Sequence, residues 1–181
     1  MNEVKVLLLR GVNVAGANRL SMPEFRQMLS EQGVLQVQTH IQSGNAVFLD
    51  PGIADLEAKI STAMKERFGF APKLFLMPLA AFEAVLAANP YKAQGTADGT
   101  KVHIFFLAAP AAAAEVSAAA ALATGGEALK QTDAAIYMLA PNGIGRSVLA
   151  DKLERLVKVD KTSRNHGSAM SISALARTIA V

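Results

Sequence analysis

The stretch VKVLLLRGVNVAGANRLSMPEF, residues 4 to 25, passes from an aliphatic run through a glycine-containing loop into the start of a helix. Residues 4–9 are almost wholly aliphatic, which is typical of a central strand buried on both faces. Ser21 and Glu24 have the S-x-x-E spacing of a capping box, in which the serine hydroxyl accepts from a backbone N–H of the first helical turn. The stretch therefore predicts a strand, a loop and a helix that begins at Met22.

The elements that follow complete one structural unit. Residues 35–42 alternate apolar and polar side chains with a period of two, the pattern of a half-exposed strand. Gly44 and Asn45 both tolerate a positive φ and predict the turn of a hairpin. With a second helix and a fourth strand, residues 4–77 have the order β-α-β-β-α-β of a ferredoxin-like plait.

The second half of the chain repeats this order only in part. A strand is predicted over 102–107, followed by an alanine-rich helix, a further hairpin and two C-terminal helices. Gly95 and Gly99 mark the stretch between the halves as a linker. The sequence thus predicts an α+β protein, a ferredoxin-like βαββαβ plait followed by a second, similar but partial α+β subdomain. The expected divisions are a ferredoxin-like subdomain over 1–90, a linker over 91–100, and the second subdomain with its C-terminal helices over 101–181.

Composition limits the class of protein. With 181 residues, 51% of them hydrophobic, the chain is long enough to bury a sizeable core. It has no cysteine and only three scattered histidines, so no disulfide and no metal site is expected. The apolar tract 102–123 is interrupted by His103, Pro110 and Glu115, which argues against a membrane span. We expect a soluble protein of the reducing cytoplasm, and the sequence leaves any cofactor unidentified.

The net charge of +3 is concentrated in the second half of the chain. From Arg146 onward there are seven Lys or Arg side chains and three acidic ones, and such a basic tail is suited to a phosphate or a nucleic acid. The spacing of Asp151 and Arg155 equally fits an i,i+4 ion pair on an ordinary solvated helix. The sequence supports both interpretations.

Three motifs carry a resemblance to a known family. RGVNVAGANRLSM, THIQSGNAVF and TSRN resemble the signatures of a bacterial family named only as domain of unknown function 1697. The resemblance implies an α+β fold with two ferredoxin-like subdomains, and it implies no established activity. The family usually continues the last motif with a bulky aromatic residue and a threonine, whereas His166, Gly167 and Ser168 stand here. This departure leaves the role of His166 open.

The first glycine loop matches no complete catalytic motif. Gly11 and Gly16 have the spacing of a P-loop, but Ala17 and Asn18 stand where a lysine and a serine or threonine are required, which excludes a Walker-type NTPase. No G-x-G-x-x-G lies at the turn from strand to helix, so a dinucleotide fold loses its main support. A loop of exposed backbone N–H groups before a helix suits an anion. Alternatively, the glycines only allow tight turns, and Asn13 and Asn18 fasten them.

Two later segments strengthen the hypothesis of an anion site. Residues 142–147 form a second glycine loop before a helix, and residues 162–165 precede the last helix in the same way. Arginine, amide and hydroxyl donors that converge there would recognise phosphate or carboxylate. An alternative is that Arg164 and Asn165 only fasten a loop. The predicted ligand-binding residues are Arg10, Asn13, Ser43, Asn45, Arg146, Arg164 and Asn165.

Other functions stay open. No histidine is spaced for pairing with a carboxylate, and His103 is expected to be a satisfied core or edge residue, so the sequence does not decide whether the protein is an enzyme. RNA binding would use an open sheet face, although the polar side of residues 36–42 has no aromatic residue. We therefore predict the binding of an anionic small molecule, a nucleotide or phosphate ester. The alternatives are an RNA-binding accessory protein and a homo-oligomeric interaction module without catalysis.

Overall fold

The computed structural model describes residues 2–14 and 16–179. The elements of the first half follow the predicted order up to the fourth strand, and they are β1 (Glu3–Leu9), α1 (Met22–Glu31), β2 (Leu35–His40), β3 (Asn45–Asp50), α2 (Leu56–Phe68), β4 (Leu74–Pro78) and α3 (Leu79–Ala87). The elements that follow are α4 (Lys92–Ala97), β5 (Val102–Leu107), α5 (Ala113–Ala120), β6 (Ala128–Gln131), β7 (Ala135–Leu139), α6 (Val148–Leu156), β8 (Lys161–Asn165) and α7 (His166–Ala176).

The first four strands form one antiparallel sheet in the order β2-β3-β1-β4. On the central strand β1, Val6 lies opposite Val47 of β3 on one side and opposite Met77 of β4 on the other. This order, with one helix after the first strand and one after the third, confirms the ferredoxin-like plait.

The second sheet has the order β6-β7-β5-β8, which is the same arrangement repeated with the next four strands. The repeat is complete because residues 162–165, expected to be a loop, belong to strand β8. Ile104 of β5 lies opposite Arg164 of β8, so backbone pairing holds this polar segment in the sheet. The α+β class with two similar subdomains is thus confirmed, and the second subdomain has every element of the first.

The chain divides into two compact units, and their boundaries differ from the expected ones. One unit contains the described residues up to Glu83 and those from Ser171 onward, and the other is Ala84–Met170. The expected linker over 91–100 contains helix α4. A contact distant in sequence accompanies one of these differences, because Ser173 donates from Oγ to Glu83 at 2.9 Å within the first unit.

Helices α1 and α2 cover one face of the first sheet. Phe25 of α1 and Ile60 of α2 are fully buried with Phe48 of β3 in one apolar cluster. Both faces of β1 are buried, because four consecutive residues from Val6 to Leu9 are each at most 1% exposed. The prediction of a central strand buried on both faces is confirmed, and each such side chain contributes about 1.5–3 kcal/mol by leaving water.

Helices α5 and α6 cover one face of the second sheet in the same way. Leu149 and Leu153 of α6 and Val116 of α5 are buried with Phe105 of β5. Ser147 caps α6, since its Oγ accepts from a backbone N–H at 3.0 Å. Among the described helices, none has the length and apolar character needed to span a membrane.

Candidate anion-binding site

The loop between β1 and α1 is built from residues in the left-handed backbone region. Gly11, Asn13, Gly16 and Asn18 have φ values of +69°, +54°, +79° and +49°. Glycine lacks the Cβ that makes this region costly, and asparagine enters it more readily than other residues because its short amide bonds locally. The glycines and asparagines of the motif are therefore explained first by the path of the backbone.

The side chain of Asn13 closes this loop and attaches it to the β2–β3 turn. Its Nδ2 donates to the carbonyl oxygens of Leu20 at 3.0 Å and Gln42 at 2.7 Å, and its Oδ1 accepts from the Leu20 N–H at 2.8 Å. Asn18 adds a bond from Nδ2 to the Gly11 carbonyl oxygen at 3.0 Å. Asn13 and Asn18 thus fasten the loop, as one of the sequence interpretations expected.

The turn between β2 and β3 packs directly on the same loop. A Cβ on Gly44, where φ is +71°, would lie 2.6 Å from Cγ2 of Val12, so only glycine fits. The second left-handed residue of the turn is Ile41, with φ +49°, and not Asn45 as predicted. Asn45 is fully buried at the start of β3, where its Nδ2 donates to the His40 carbonyl oxygen at 3.1 Å and to Ser43 Oγ at 2.8 Å. These bonds across the turn hold Asn45 extended, against its local preference.

An open cleft of about 470 Å³ lies beside this loop, and its lining residues are Asn13, Gly16, Arg19, Leu20, Ser21 and Glu24. Ser21 caps α1 as predicted, because its Oγ accepts from the Glu24 N–H at 3.5 Å. Pro23 has no N–H, and the Phe25 N–H donates to the Ser21 carbonyl oxygen. Few backbone N–H groups of the first helical turn remain to bind a ligand. Arg19 is therefore the main donor that the cleft offers to an anion.

The predicted site residues divide between the two units. In the first unit, Asn13, Ser43 and Asn45 belong to one hydrogen-bonded loop cluster. Arg10 begins the loop, and its backbone N–H donates to the Lys73 carbonyl oxygen at 3.1 Å. Arg19 lines the cleft but was not among the predicted ligand contacts. Its position between Asn18 and the helix cap could have indicated it.

In the second unit, Arg164 and Asn165 are neighbours on β8. Arg164 is 8% exposed and donates from Nη1 to Thr162 Oγ1 at 3.0 Å and to the Ser163 carbonyl oxygen at 2.7 Å. Burial lowers the pKa of Arg164 to about 10. The Oδ1 of Asn165 accepts from the Ser168 N–H at 2.7 Å and caps α7. Arg146 is exposed in a short 3-10 turn before α6.

The histidines of the second unit are buried. His103 is held through Nε2 by the Thr100 carbonyl oxygen at 3.1 Å, so the expectation of a satisfied core residue is confirmed. His166 was placed in a loop by the sequence, but it is the first residue of α7 and is 7% exposed, with Nδ1 3.3 Å from Asn89 Nδ2. No sequence pattern links two residues so far apart. Across residues 2–14 and 16–179, no three His, Asp or Glu side chains group as metal ligands.

The surface needed for the RNA-binding alternative is not present on the central strand of the first sheet. An RNA-binding plait exposes one sheet face for base stacking. Here side chains on both faces of β1 are buried, as are those of Val47 and Phe48 on β3. The polar side chains of Gln38 and His40 lie on the edge strand β2 and are only half-buried.

The first two motifs and the plait they build correspond to a known family. The model of a family described as protein of unknown function (DUF1697) matches residues 1–137. The chain belongs to the DUF1697 family. This confirms the membership that the motifs indicated, and the matched range includes the motifs at residues 10–22 and 39–48 but ends before the one at 162–165.

A solved structure has a similar fold over 97% of the chain. The conserved bacterial protein SP0830 from Streptococcus pneumoniae is similar with a TM-score of 0.75 and 26% sequence identity. The similarity covers 97% of this chain and 99% of that one, so it includes the second unit beyond the range of the family model. A search of curated proteins finds no match.

Proposed function

We propose that this DUF1697 protein binds an anionic small molecule, a nucleotide or another phosphate ester, through its glycine loops and arginines. The observation that carries the proposal is the 470 Å³ cleft beside the first loop, with Arg19 on its wall. A volume of this order accommodates a small ligand. A guanidinium group there offers planar, paired N–H donors that match the oxygens of a phosphate.

The hydrogen bonds around the cleft support the proposal by fixing its shape before a ligand arrives. Asn13 holds the loop against the β2–β3 turn, and Asn45 and Ser43 bond to each other within that turn. In this proposal they position the backbone, while Arg10 and Arg19 provide the positive charge. A rigid loop lowers the conformational entropy lost on binding, which favours affinity.

The second unit contributes a further part of the proposal. Arg164 is held at 8% exposure and its pKa is lowered to about 10 by burial, so keeping its positive charge there is costly. A ligand anion near Arg164, with Asn165 and the exposed Arg146 as additional donors, would be attracted by that charge. These three residues are therefore proposed as ligand contacts of the second unit.

A thermal-shift and calorimetry experiment tests the proposal. The wild type, Arg19→Gln and Arg155→Gln are compared against nucleotides, sugar phosphates, simple carboxylates and short RNA. A ligand at about 100 times its dissociation constant adds roughly 2.7 kcal/mol of stability, which is visible as a rise in Tm. Loss of one charge-assisted hydrogen bond costs about 1.5–3 kcal/mol, so Arg19→Gln should weaken binding by about tenfold to a hundredfold.

Arg155→Gln is the matched control, because Arg155 is an arginine 69% exposed on α6 and paired with a surface carboxylate, Asp151. It should bind as the wild type does. Equal affinity of Arg19→Gln and wild type for the ligand would show that Arg19 is not part of the site. If none of the small anions raises the Tm of the wild type, the proposed function is contradicted. A shift with RNA alone, lost at moderate salt, would favour the RNA-binding alternative instead.

A further inference from the structure

In the second unit, the segment from Asn89 to Gly99 lies in close contact with the first turn of α7. A Cβ on Gly95 would lie 2.5 Å from Cγ of the His166 ring, so the helix backbone rests directly on the imidazole. A Cβ on Gly99 would lie 2.7 Å from the backbone nitrogen of Gly167, whose N–H donates to the Gly99 carbonyl oxygen at 3.4 Å. The two glycines allow this approach, and we call residues 89–99 the clamp segment.

The hydrogen bonds of Asn89 determine which nitrogen of His166 carries the proton. The Oδ1 of Asn89 accepts from the Tyr91 N–H at 2.9 Å, which fixes the orientation of the amide. Its Nδ2 then lies 3.3 Å from Nδ1 of His166. Because an amide nitrogen only donates, Nδ1 must be the acceptor and carries no proton. The neutral ring therefore holds its proton on Nε2.

We infer that this contact is an acid-sensitive clamp. A proton on Nδ1 of His166 places an N–H donor against the N–H donor of Asn89, which breaks the hydrogen bond and releases the clamp segment from the first turn of α7. The contact does not use the proposed ligand, although Asn165, a proposed ligand contact, caps the same turn of α7.

The buried surroundings of His166 also favour its neutral form. Burial lowers the pKa of His166 below its ordinary value of 6.5. The groups that contact the ring from the clamp segment are the Asn89 amide and the Gly95 backbone. Tyr91, in the same segment, has its phenol pKa raised by burial and stays neutral in this range, and its hydroxyl oxygen is buried without a hydrogen-bond partner among the described residues.

Two other titratable groups of the second unit already have hydrogen-bond partners. On β5, His103 bonds through Nε2 to the Thr100 carbonyl oxygen, and burial lowers its pKa. At the end of the clamp segment, Asp98 accepts from the hydroxyl and the N–H of Thr100. The released form of His166 titrates near 6.5 and the clamped form lower. Acid below 6.5 therefore favours release, and higher pH favours the clamp.

Nuclear magnetic resonance on the full chain tests the inference. The imidazole nitrogen shifts of His166 should show a bare Nδ1 at neutral pH and a titration midpoint below 6.5. As pH falls from about 6.5 towards the folded pKa, amide exchange at Gly95 and Asp98, corrected for the intrinsic rate, should rise by at most about tenfold per pH unit, because one proton is linked to opening. Amides of β7 serve as the internal reference.

Two variants separate titration from packing. His166→Asn keeps an acceptor for Asn89 and cannot titrate, so exchange in the clamp segment should lose its pH dependence. Asn89→Asp keeps the bond to the Tyr91 N–H and presents a carboxylate to Nδ1, so the titration of His166 should move above 6.5 and acid should slow the exchange.

A protonated Nδ1 at neutral pH, a wild-type midpoint at or above 6.5, or exchange in the clamp segment that does not change with pH would overturn the inference. Circular dichroism establishes that each variant is folded. If His166→Asn is not, the wild-type titration and the reversal in Asn89→Asp decide the question.

Discussion

The fourth strands of the two plaits, β4 and β8, occupy the same edge position in their sheets, but β4 has apolar side chains and β8 has polar ones. Strand β4 has the sequence LFLMP, and its first two residues are buried apolar side chains. Strand β8 has the sequence KTSRN, yet Lys161, Thr162 and Arg164 are 2%, 4% and 8% exposed. One strand is held by hydrophobic burial and the other by hydrogen bonds of buried polar groups. A shared topology therefore does not require a shared pattern of side chains.

Lys161 shows how the polar strand is accommodated. Its Nζ donates to the carbonyl oxygen of Val157 at 2.9 Å and lies 3.4 Å from both the Glu154 carbonyl oxygen and a Glu154 carboxylate oxygen. The lysine thus caps the C-terminus of α6, where unpaired carbonyl groups favour a positive charge. The side chain is buried because it completes the hydrogen bonds of a helix end.

The largest expected effect comes from the apolar strand. Leu74→Ala should destabilise the protein by about 2–5 kcal/mol, because it removes a side chain that is 6% exposed in the core of the first unit. Denaturant unfolding measures the change. Leu76→Ala, at a partly buried position of the same strand, is the control and should cost less. A loss below about 1 kcal/mol for Leu74→Ala would mean that burial does not hold β4.

A smaller effect is expected in the polar strand. Lys161→Met keeps most of the packing volume but removes the donor to Val157, and an unpaired buried carbonyl costs about 1–3 kcal/mol. Lys158→Met is the matched control, since the Lys158 Nζ also donates to a helix carbonyl oxygen, that of Arg155 at 2.8 Å, but from an exposed position. It should change stability by less than about 0.5 kcal/mol. Equal stability of Lys161→Met and wild type would show that hydrophobic burial suffices in β8 as well.

The smallest expected effect is a difference in acid sensitivity between the units. In the second unit, burial lowers the pKa values of His103 and His166, so its stability should decrease as pH falls below 6.5. In the first unit, the Arg177 hydrogen bond, with help from Ser173, lowers the pKa of the Glu83 carboxyl. The stability that this hydrogen bond contributes is present above pH 4.5 and is lost only as pH falls through the lower pKa of Glu83 in the folded state.

Hydrogen exchange followed by mass spectrometry from neutral to acidic pH measures this difference. Protection should decrease first in β5 and β7 and later in β1 and β3. Glu83→Gln should remove part of the acid response of the first unit without affecting the second. Simultaneous loss of protection in both sheets at mildly acidic pH would contradict the assignment of separate titrating groups to the two units.

The parts of the candidate site that sequence could predict are those with local causes. The Ser21 cap, the positive φ at Gly44 and the bonds by which Asn13 and Asn18 close their own loop join residues at most seven positions apart. The bond from Asn13 to Gln42 spans 29 positions and has no local cause. The left-handed conformation of Ile41 and the extended one of Asn45 could not be predicted from the same turn. Hydrogen bonds across the turn and the close packing of Gly44 override the local preferences there.

The sequence by itself determined the α+β class and the first plait, because periodicity, capping and glycine turns act over a few residues. Its motifs indicated the family by resemblance. The tertiary structure decided that the polar segment of β8 is a strand, that helix α4 replaces the expected linker, and that His166 lies buried against Asn89. Each of these features depends on partners far away in the chain. A buried polar group is stable only where the fold supplies its hydrogen bonds, and no local pattern of residues records where those partners lie.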